Sequence, residues 1–346
     1  MSSENLPVLG LTLGDPNGVG PEVVLRALAE PPESGTWRPL IFGDWEVVRQ
    51  VNQWLGEPVA LRRCPPDLQA LPEQAEGVPV LDLAVQEARQ WSLGTCCAWG
   101  GESAFRFVHE AIRWAQERRI AALVTAPLAK EALQAAGHRF PGHTEMLSHY
   151  TNGAHSVMML AVDNLRATMV TLHMSLRSVL ETLTPELILD VIQITDQALR
   201  QMQIPSPRLV VPGLNPHAGE NGLFGSEEQE IIVPALEQAR QMGIEVTGPL
   251  PPDTVFLRHQ KGEFDAVVAL YHDQALIPLK LIGFDRAVNV TLGLPILRTS
   301  VDHGTAFDIA PRLQADPGSM VAAIRMALQL ASGAQSPPGL PEALVD

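Results

Sequence analysis

Short apolar runs alternate along the chain with longer stretches in which apolar residues recur every three or four positions. The first kind predicts buried strands, the second helices with one face on a core. "VLGLTLG" is a strand-like run that stops at "DPNGVG", and "PEVVLRALAE" then predicts a helix with Pro21 in its first turn. "RPLIFGD" and "WEVVRQVNQWLG" repeat that order, and "ESAFRFVHEAIRWAQERR" is followed by the strand-like "IAALVTAP". "SVMMLAV" and "RATMVTLH" predict two further strands, and "TPELILDVIQITDQAL" a helix capped by Thr184 with Pro185 after it. In "SEEQEIIVPALEQARQMG", Ser226 and Gln229 predict a capping box, Gly243 a stop and Pro234 a kink. The Pro- and Gln-rich section from Glu57 to Leu93 is expected to be the least regular part, and "ASGAQSPPGLPEALVD" a loose end. The pattern contains no internal repeat. It predicts an α/β fold with a largely parallel sheet, and 346 residues predict two domains of ~150 residues each.

Charge narrows the partners. Against 39 Asp and Glu stand 24 Lys and Arg, a net charge of −15, which argues against a duplex nucleic acid partner, since that would need a basic face. An anionic ligand would have to be held by a few local cations against the global field. No stretch approaches the ~20 apolar residues of a membrane span. "MSSENLPVLG" lacks the basic and long apolar regions of a signal peptide. Three cysteines, with Cys96 and Cys97 adjacent, form no disulfide framework and fit a reducing compartment. These features predict a soluble cytoplasmic protein of metabolism.

Three apolar runs lead into histidines: "RATMVTLH" ends at His173, "RLVVPGLNPH" at His217 and "DAVVALYH" at His272. Ligands of open α/β sheets bind beyond the carboxyl ends of strands, so the three could converge on one metal ion with an open position. Alternatively they are unrelated loop histidines, each hydrogen-bonded locally. Asp273 is either a base or orienting group, or the N-cap of the next helix.

"LGDPNGVGPE" fits neither common phosphate-loop pattern, and remains either a tight structural turn or an anion-binding helix start. "RFPGHTEML" places His143 and Thr144 at a helix start after Gly142, a cradle for an anion or a simple N-cap. Lys280, Asn289 and Arg298 punctuate the apolar "IPLKLIGFDRAVNVTLGLPILRTS". Cations in such company are paired with acids or bind a ligand, and a phosphate would satisfy both.

"GDPNGVGPE", "PGHTEML", "GLNPHAGENGLFGSEE", "GPLPPDTVF", "YHDQALIPLK" and "VNVTLGLPILRTSVDHGTAFDIA" together resemble the 4-hydroxythreonine-4-phosphate dehydrogenase family of vitamin B6 biosynthesis, in order from Leu9 to Leu330. The resemblance implies an isocitrate/isopropylmalate-dehydrogenase-like fold of two α/β domains. Residues 1–138 plus 299–346 would form the cofactor-side domain, and 139–298 the metal- and substrate-side domain with dimer contacts. It implies a homodimer whose active sites are shared between subunits. His173, His217 and His272 match metal ligands for one divalent ion, with zinc, magnesium and cobalt as candidates. His143, Thr144, Lys280, Asn289 and Arg298 match substrate contacts. "DHGTAFDIA" resembles the loop that approaches the adenosine of the nicotinamide dinucleotide, which places His303, Gly304, Thr305 and Asp308 near NAD or NADP.

The implied reaction is NAD(P)-dependent oxidation of the C3 hydroxyl of 4-phosphohydroxy-L-threonine. Its product, 2-amino-3-oxo-4-(phosphooxy)butanoate, loses CO2 to give 3-amino-2-oxopropyl phosphate. Lys280 and Arg298 would anchor charged ends of the substrate, Lys280 as part of the catalytic centre. Asp273 or a water would be the base. Two departures bear on the substrate: Ser178 stands where many relatives carry Asp, and "LGTCCAWGGESAF" is an unusual segment. Threonate or erythronate 4-phosphate is therefore the alternative substrate. Lys280, Asn289 and Arg298 argue against the phosphate-free dihydrodiol branch. A metal-dependent hydrolase and a non-catalytic phosphometabolite-binding protein are the rival classes.

Overall fold

The computed structural model describes residues 6–69, 71, 76–85, 91–153 and 155–333. Its first stretch runs β1 (Val8–Thr12), α1 (Gly20–Ala29), β2 (Arg38–Gly43), α2 (Trp45–Trp54), β3 (Leu61–Cys64) and β4 (Val78–Asp82). Then come α3 (Ala98–Gln116), β5 (Ala122–Thr125), α4 (Lys130–Ala135), α5 (His143–Tyr150), β6 (Val157–Val162) and β7 (Leu165–Met169). The next stretch is α6 (Leu176–Thr182), α7 (Pro185–Gln201), β8 (Leu209–Pro212), α8 (Val233–Gln241), β9 (Val246–Leu250) and α9 (Pro252–Gln260). The last is β10 (Ala266–Ala269), α10 (His272–Gly283), β11 (Val288–Leu292), β12 (Arg298–Val301) and α11 (Gly318–Gly333).

The strands form one sheet of twelve in the order β3-β4-β2-β1-β5-β12-β11-β6-β7-β10-β8-β9. The block from β3 to β12 is parallel throughout, and so is the block β7-β10-β8-β9. Between them the pairs β12–β11, β11–β6 and β6–β7 are antiparallel. Three reversals make the two parallel blocks run in opposite senses. This is the α/β class, with a largely parallel sheet, that the alternation of runs predicts.

Local chemistry explains the element ends. Asp44 caps α2 by accepting from the amides of Glu46 and Val47, and the Thr184 hydroxyl accepts from Leu187 N at the start of α7. The predicted capping box at Ser226 is absent: its carbonyl, not its hydroxyl, takes the amides of Gln229 and Glu230. The reason is a π-helical turn over Glu228–Ile232, which spaces the backbone differently from an α-helical first turn. Pro234, which has no N–H, sits in the first turn of α8, where the wide turn gives way to α-helix, so the irregularity precedes it. Of the section from Glu57 to Leu93, the described residues supply β3 and β4, while residues 70, 72–75 and 86–90 lie outside the described residues. The expected loose end falls, from residue 334 on, outside the described residues.

Two apolar clusters cover the sheet. The larger gathers Leu9, Leu11, Leu40, Ile41 and Leu123 of the first block with residues of α1, α3 and α11. The smaller packs Leu276 and Leu279 of α10 onto Leu160, Ala167, Met169 and Val267. No described helix is long and apolar enough to cross a membrane.

Candidate active site

Because β7, β10 and β8 are parallel neighbours, their carboxyl ends line up on one edge, with strands ~4.8 Å apart. All three sequence-predicted histidines follow these ends. His173 lies just beyond β7, His272 opens α10 after β10, and His217 follows β8. The rings of His173 and His272 are 5.4 Å apart between centroids. Both line a hollow of about 420 Å3 with Ser175, Tyr271 and Asp273. Asp273 is not the N-cap, which is Tyr271. Instead its Oδ1 lies 2.7 Å from His272 Nδ1, which fixes the ring and leaves Nε2 available to a ligand.

His217 does not join this pair. It belongs to a left-handed run, His217 to Asn221, with φ between 44° and 75°. Its ring lies 6.2 Å from that of Phe224, and it lines a separate hollow of about 530 Å3. Among the described residues no group of three His, Cys, Asp or Glu side chains is close enough to hold an ion. One chain therefore brings together two imidazoles, His173 and His272, short of the three protein ligands usual for a catalytic zinc ion, and leaves His217 apart at the neighbouring strand end.

A second cluster surrounds Arg298, which is 3% exposed at the start of β12. Its Nε and Nη2 donate to Thr125 Oγ1 at 3.1 and 2.8 Å, and Nη1 donates to Thr291 Oγ1 at 2.9 Å. No carboxylate pairs with it among the described residues. Burial without a counter-ion pushes the guanidinium down to about 9. His143, the first residue of α5 after Gly142, lies close enough to feel that charge. Burial first, and Arg298 second, hold its imidazole well below the usual range, so it is neutral. Its Nε2 and the Oδ1 of Asn289 are shielded from solvent and have no partner. Asn289 and Thr291 share one face of β11, directly across from β12. Thr144 follows His143 in the first turn of α5 and is not its cap.

Lys280 lies farther along α10, with Nζ 2.8 Å from Asp302 Oδ2 at the end of β12. Asp302 leads into residues 303–308. There His303 Nδ1 contacts Gly304 O at 3.0 Å while its Nε2 is shielded and unpartnered. Gly304 faces open space, and Asp308 is exposed. The first loop braces this segment: Val19 N donates to Thr305 O at 2.9 Å. A Cβ on Gly18 would fall 2.7 Å from the same oxygen. Of the two cysteines that precede α3, Cys97 accepts from Asn17 Nδ2 at 3.2 Å, and Cys96 is exposed. Another hollow, about 710 Å3, lies elsewhere, against α11 and Arg286, and gathers none of these residues.

Thr125, Thr291 and Asp302 were not singled out in the sequence. Threonines inside apolar runs carry no signal of their own. Asp302 did carry one, since it directly follows a strand and precedes His303.

The profile of the family described as Pyridoxal phosphate biosynthetic protein PdxA matches residues 36–327. The chain is 44% identical over 336 residues to a D-threonate 4-phosphate dehydrogenase of Cupriavidus necator, covering 95% of this chain and 99% of the relative. It is 43% identical over 332 residues to a 4-hydroxythreonine-4-phosphate dehydrogenase of Desulforapulum autotrophicum, covering 94% and 96%. The crystal structure of 4-hydroxythreonine-4-phosphate dehydrogenase from Klebsiella pneumoniae superposes with a TM-score of 0.84 at 43% identity, covering 94% of this chain and 99% of that one. With sequence, profile and fold in agreement, the chain belongs to the PdxA family of pyridoxal phosphate biosynthetic proteins.

Proposed function

We propose that this protein is a dehydrogenase that oxidises the C3 hydroxyl of 4-phosphohydroxy-L-threonine with NAD or NADP, after which the 3-keto acid loses CO2. The observation that carries the reading is Arg298, buried, forked onto two threonine hydroxyls and, among the described residues, without an acid to neutralise it. A buried cation of this kind is costly unless an anion completes it, and a phosphate or carboxylate offers matching bidentate geometry. Neutral His143 and the amide of Asn289 supply the unpartnered polar atoms beside it. Thr144 adds a hydroxyl at the same helix start. Lys280, oriented by Asp302, supplies the second cation for a substrate with charge at both ends.

His173 and His272 are two of the proposed metal ligands, and Asp273 holds the His272 ring in the tautomer that presents Nε2. A divalent ion held there would act as a Lewis acid, easing loss of the hydroxyl proton and then of the carboxylate. The nicotinamide dinucleotide is assigned to His303, Gly304, Thr305 and Asp308. Gly304 leaves room there for close approach of a ligand. A bound nicotinamide would supply the hydride acceptor for C3, and a base in the cleft, Asp273 or a water, would take the hydroxyl proton. The side chains' task is to hold C3–H against the acceptor.

We assign the site to a homodimer, with residues 1–138 plus 299–346 as one domain and 139–298 as the other. Two features support a shared site. His217 is separate from its two companions within one chain. The face of α10 also presents Ile277 and Leu281, 66% and 85% exposed, one turn apart.

A second substrate, D-threonate 4-phosphate, is favoured by the name of the relative in Cupriavidus necator. It differs at C2, hydroxyl for amine, and keeps the phosphate, carboxylate and C3 hydroxyl. The deciding experiment follows NADH absorbance with each compound, using chelator-treated enzyme before and after divalent metal is restored. Metal-dependent NADH formation with 4-phosphohydroxy-L-threonine is expected. Turnover of threonate 4-phosphate alone would transfer the same mechanism to that substrate, and silence with both would overturn the dehydrogenase reading.

A further inference from the structure

The segment that carries His217 is held in an unfavourable conformation. His217, Ala218, Glu220 and Asn221 are non-glycine residues with positive φ, in one run with Gly219. For His217, Ala218 and Glu220 this places Cβ close to the following carbonyl oxygen, which L-residues ordinarily avoid, whereas Asn221 tolerates it. Such a run persists only where its surroundings over-determine it.

Backbone bonds close the turn, Phe224 N donating to Gly219 O at 3.2 Å, and two carboxylates brace its start, Glu227 Oε2 accepting from Asn215 Nδ2 at 2.7 Å beside the buried Glu228. Glu228 is 3% exposed. Its Oε1 accepts from Leu214 N at 2.8 Å and Asn215 N at 2.7 Å, and its Oε2 accepts from Asn215 Nδ2 at 3.0 Å. No cation pairs with it among the described residues, so backbone and amide donors alone satisfy its charge. The loop is shaped around it: a Cβ on Gly219 would lie 2.5 Å from Glu228 Oε2, and one on Gly213 would meet Ala218 Cα at 2.6 Å. Glu228 opens the π-helical turn before α8, which sets where its carboxylate reaches. Gln274 then relates this loop to the neighbouring histidines. It accepts from Leu270 N at 2.7 Å and donates to Gly213 O at 2.9 Å, joining the ends of β10 and β8 two residues after His272.

We propose that Glu228 is the positioning residue for His217: its buried carboxylate builds the left-handed turn that sets this imidazole beyond the end of β8, from where it would serve a metal site shared with a second copy of the chain. The proposal rests on the metal reading above, and its test separates the two. Metal-free wild type, Glu228→Gln and Gly219→Ala would be compared by hydrogen–deuterium exchange over residues 213–222. Co2+ titrations followed by visible absorption would accompany them, with circular dichroism to establish folding. Glu228→Gln keeps the volume and removes the charge. Gly219→Ala leaves Glu228 in place and displaces the loop from it.

In both variants exchange of the loop is expected to quicken, and Co2+ affinity to fall by roughly 10–100-fold, the range typical of groups that orient metal ligands. Unchanged loop exchange in the folded variants would overturn the proposal. So would faster exchange with unchanged Co2+ affinity, because the carboxylate would then shape a loop without setting the ligand. A wild-type protein that binds no Co2+ would overturn the metal reading itself, and the exchange arm would then decide the role of Glu228 in building the turn.

Discussion

Lys280 and Asp302 form an ion pair, Nζ to Oδ2 at 2.8 Å, that ties α10 to the carboxyl end of β12. The lysine side chain is 33% exposed and the aspartate 8% exposed. The pair joins the element that begins with His272 to the segment assigned to the dinucleotide. Partial exposure of Lys280 weakens the Coulombic contribution by screening. Lys280→Met and Asp302→Asn, singly and together, should therefore give a coupling of about 1 kcal/mol in urea unfolding. A coupling indistinguishable from zero would make the pair incidental to the joining of the two elements.

Arg298 shows the opposite arrangement, full burial with neutral partners only. Lysine cannot reproduce a fork that reaches Thr125 twice and Thr291 once. Arg298→Lys should weaken binding of the phosphorylated substrate on the order of 2–5 kcal/mol. In a thermal-shift titration, wild type at a hundredfold excess over Kd should gain about 2.7 kcal/mol of stability. Arg298→Lys at the same concentration should gain less than about 1 kcal/mol. Equal shifts in the two proteins would remove Arg298 from the anion site.

Asp15 is fully buried, and burial raises its carboxyl from 3.8 to about 6 against the smaller opposing effect of the Asn17 amide. The folded chain therefore holds this proton more tightly than the unfolded chain does. The associated stability is complete below pH 3.8 and is lost as pH rises through about 6. The loss amounts to roughly 3 kcal/mol. Asp15→Asn, which keeps an acceptor for Asn17 N, should match wild type near pH 4 and exceed it at pH 7.5. Urea midpoints measured across that range test it, and parallel pH profiles would show that the carboxyl is not the source.

The sheet and most helices are legible in the sequence because their signals are local. Alternation of apolar runs, Thr184 before Pro185, and Asp44 before a helical pattern each act within a few residues. The approach of His173 to His272 is legible through a single rule about strand ends, which places side chains without knowing the strand order. That rule does not reach His217, whose position depends on a run of left-handed backbone that nothing in "NPHAGEN" announces. The capping box at Ser226 fails for a similar reason: the motif is present, but Glu228 within it is recruited by Leu214 and Asn215, and the turn widens. Partners distant in the chain, Thr125 for Arg298 and Asp302 for Lys280, follow only from the topology that brings β5, β12 and α10 together.

Gly18 separates the roles of the first loop and of residues 303–308. A side chain there would meet Thr305 O at 2.7 Å and Thr305 Cβ at 3.0 Å, where Val19 N already donates. Gly18→Ala should shift this segment, raising the KM for NAD about tenfold while leaving the KM for the phosphorylated substrate within about twofold, and costing about 1–3 kcal/mol of stability. Steady-state kinetics with each substrate varied in turn would check this. An equal rise in both KM values would mean that the loop supports the whole cleft and not the dinucleotide segment alone.

The face of α10 turned away from the sheet carries Ile277 and Leu281, and Phe284 follows at 62% exposure. Their spacing continues one stripe, opposite the side that buries Leu276 and Leu279. Covering a leucine or isoleucine side chain contributes roughly 1.5–3 kcal/mol, so a second copy of the chain seated on this stripe, as proposed, would be stabilised by its burial. Ile277→Glu with Leu281→Glu should leave each chain folded, because neither residue contributes to the core. The same change should place like charges against each other across a two-fold contact. Sedimentation velocity is expected to show a dimer for wild type and a monomer for the double variant. Activity should fall with dissociation, since His217 would then lose its route to a shared site. A monomeric variant with full turnover would show that one chain assembles the site unaided, and a variant that stays dimeric would move the interface to another face.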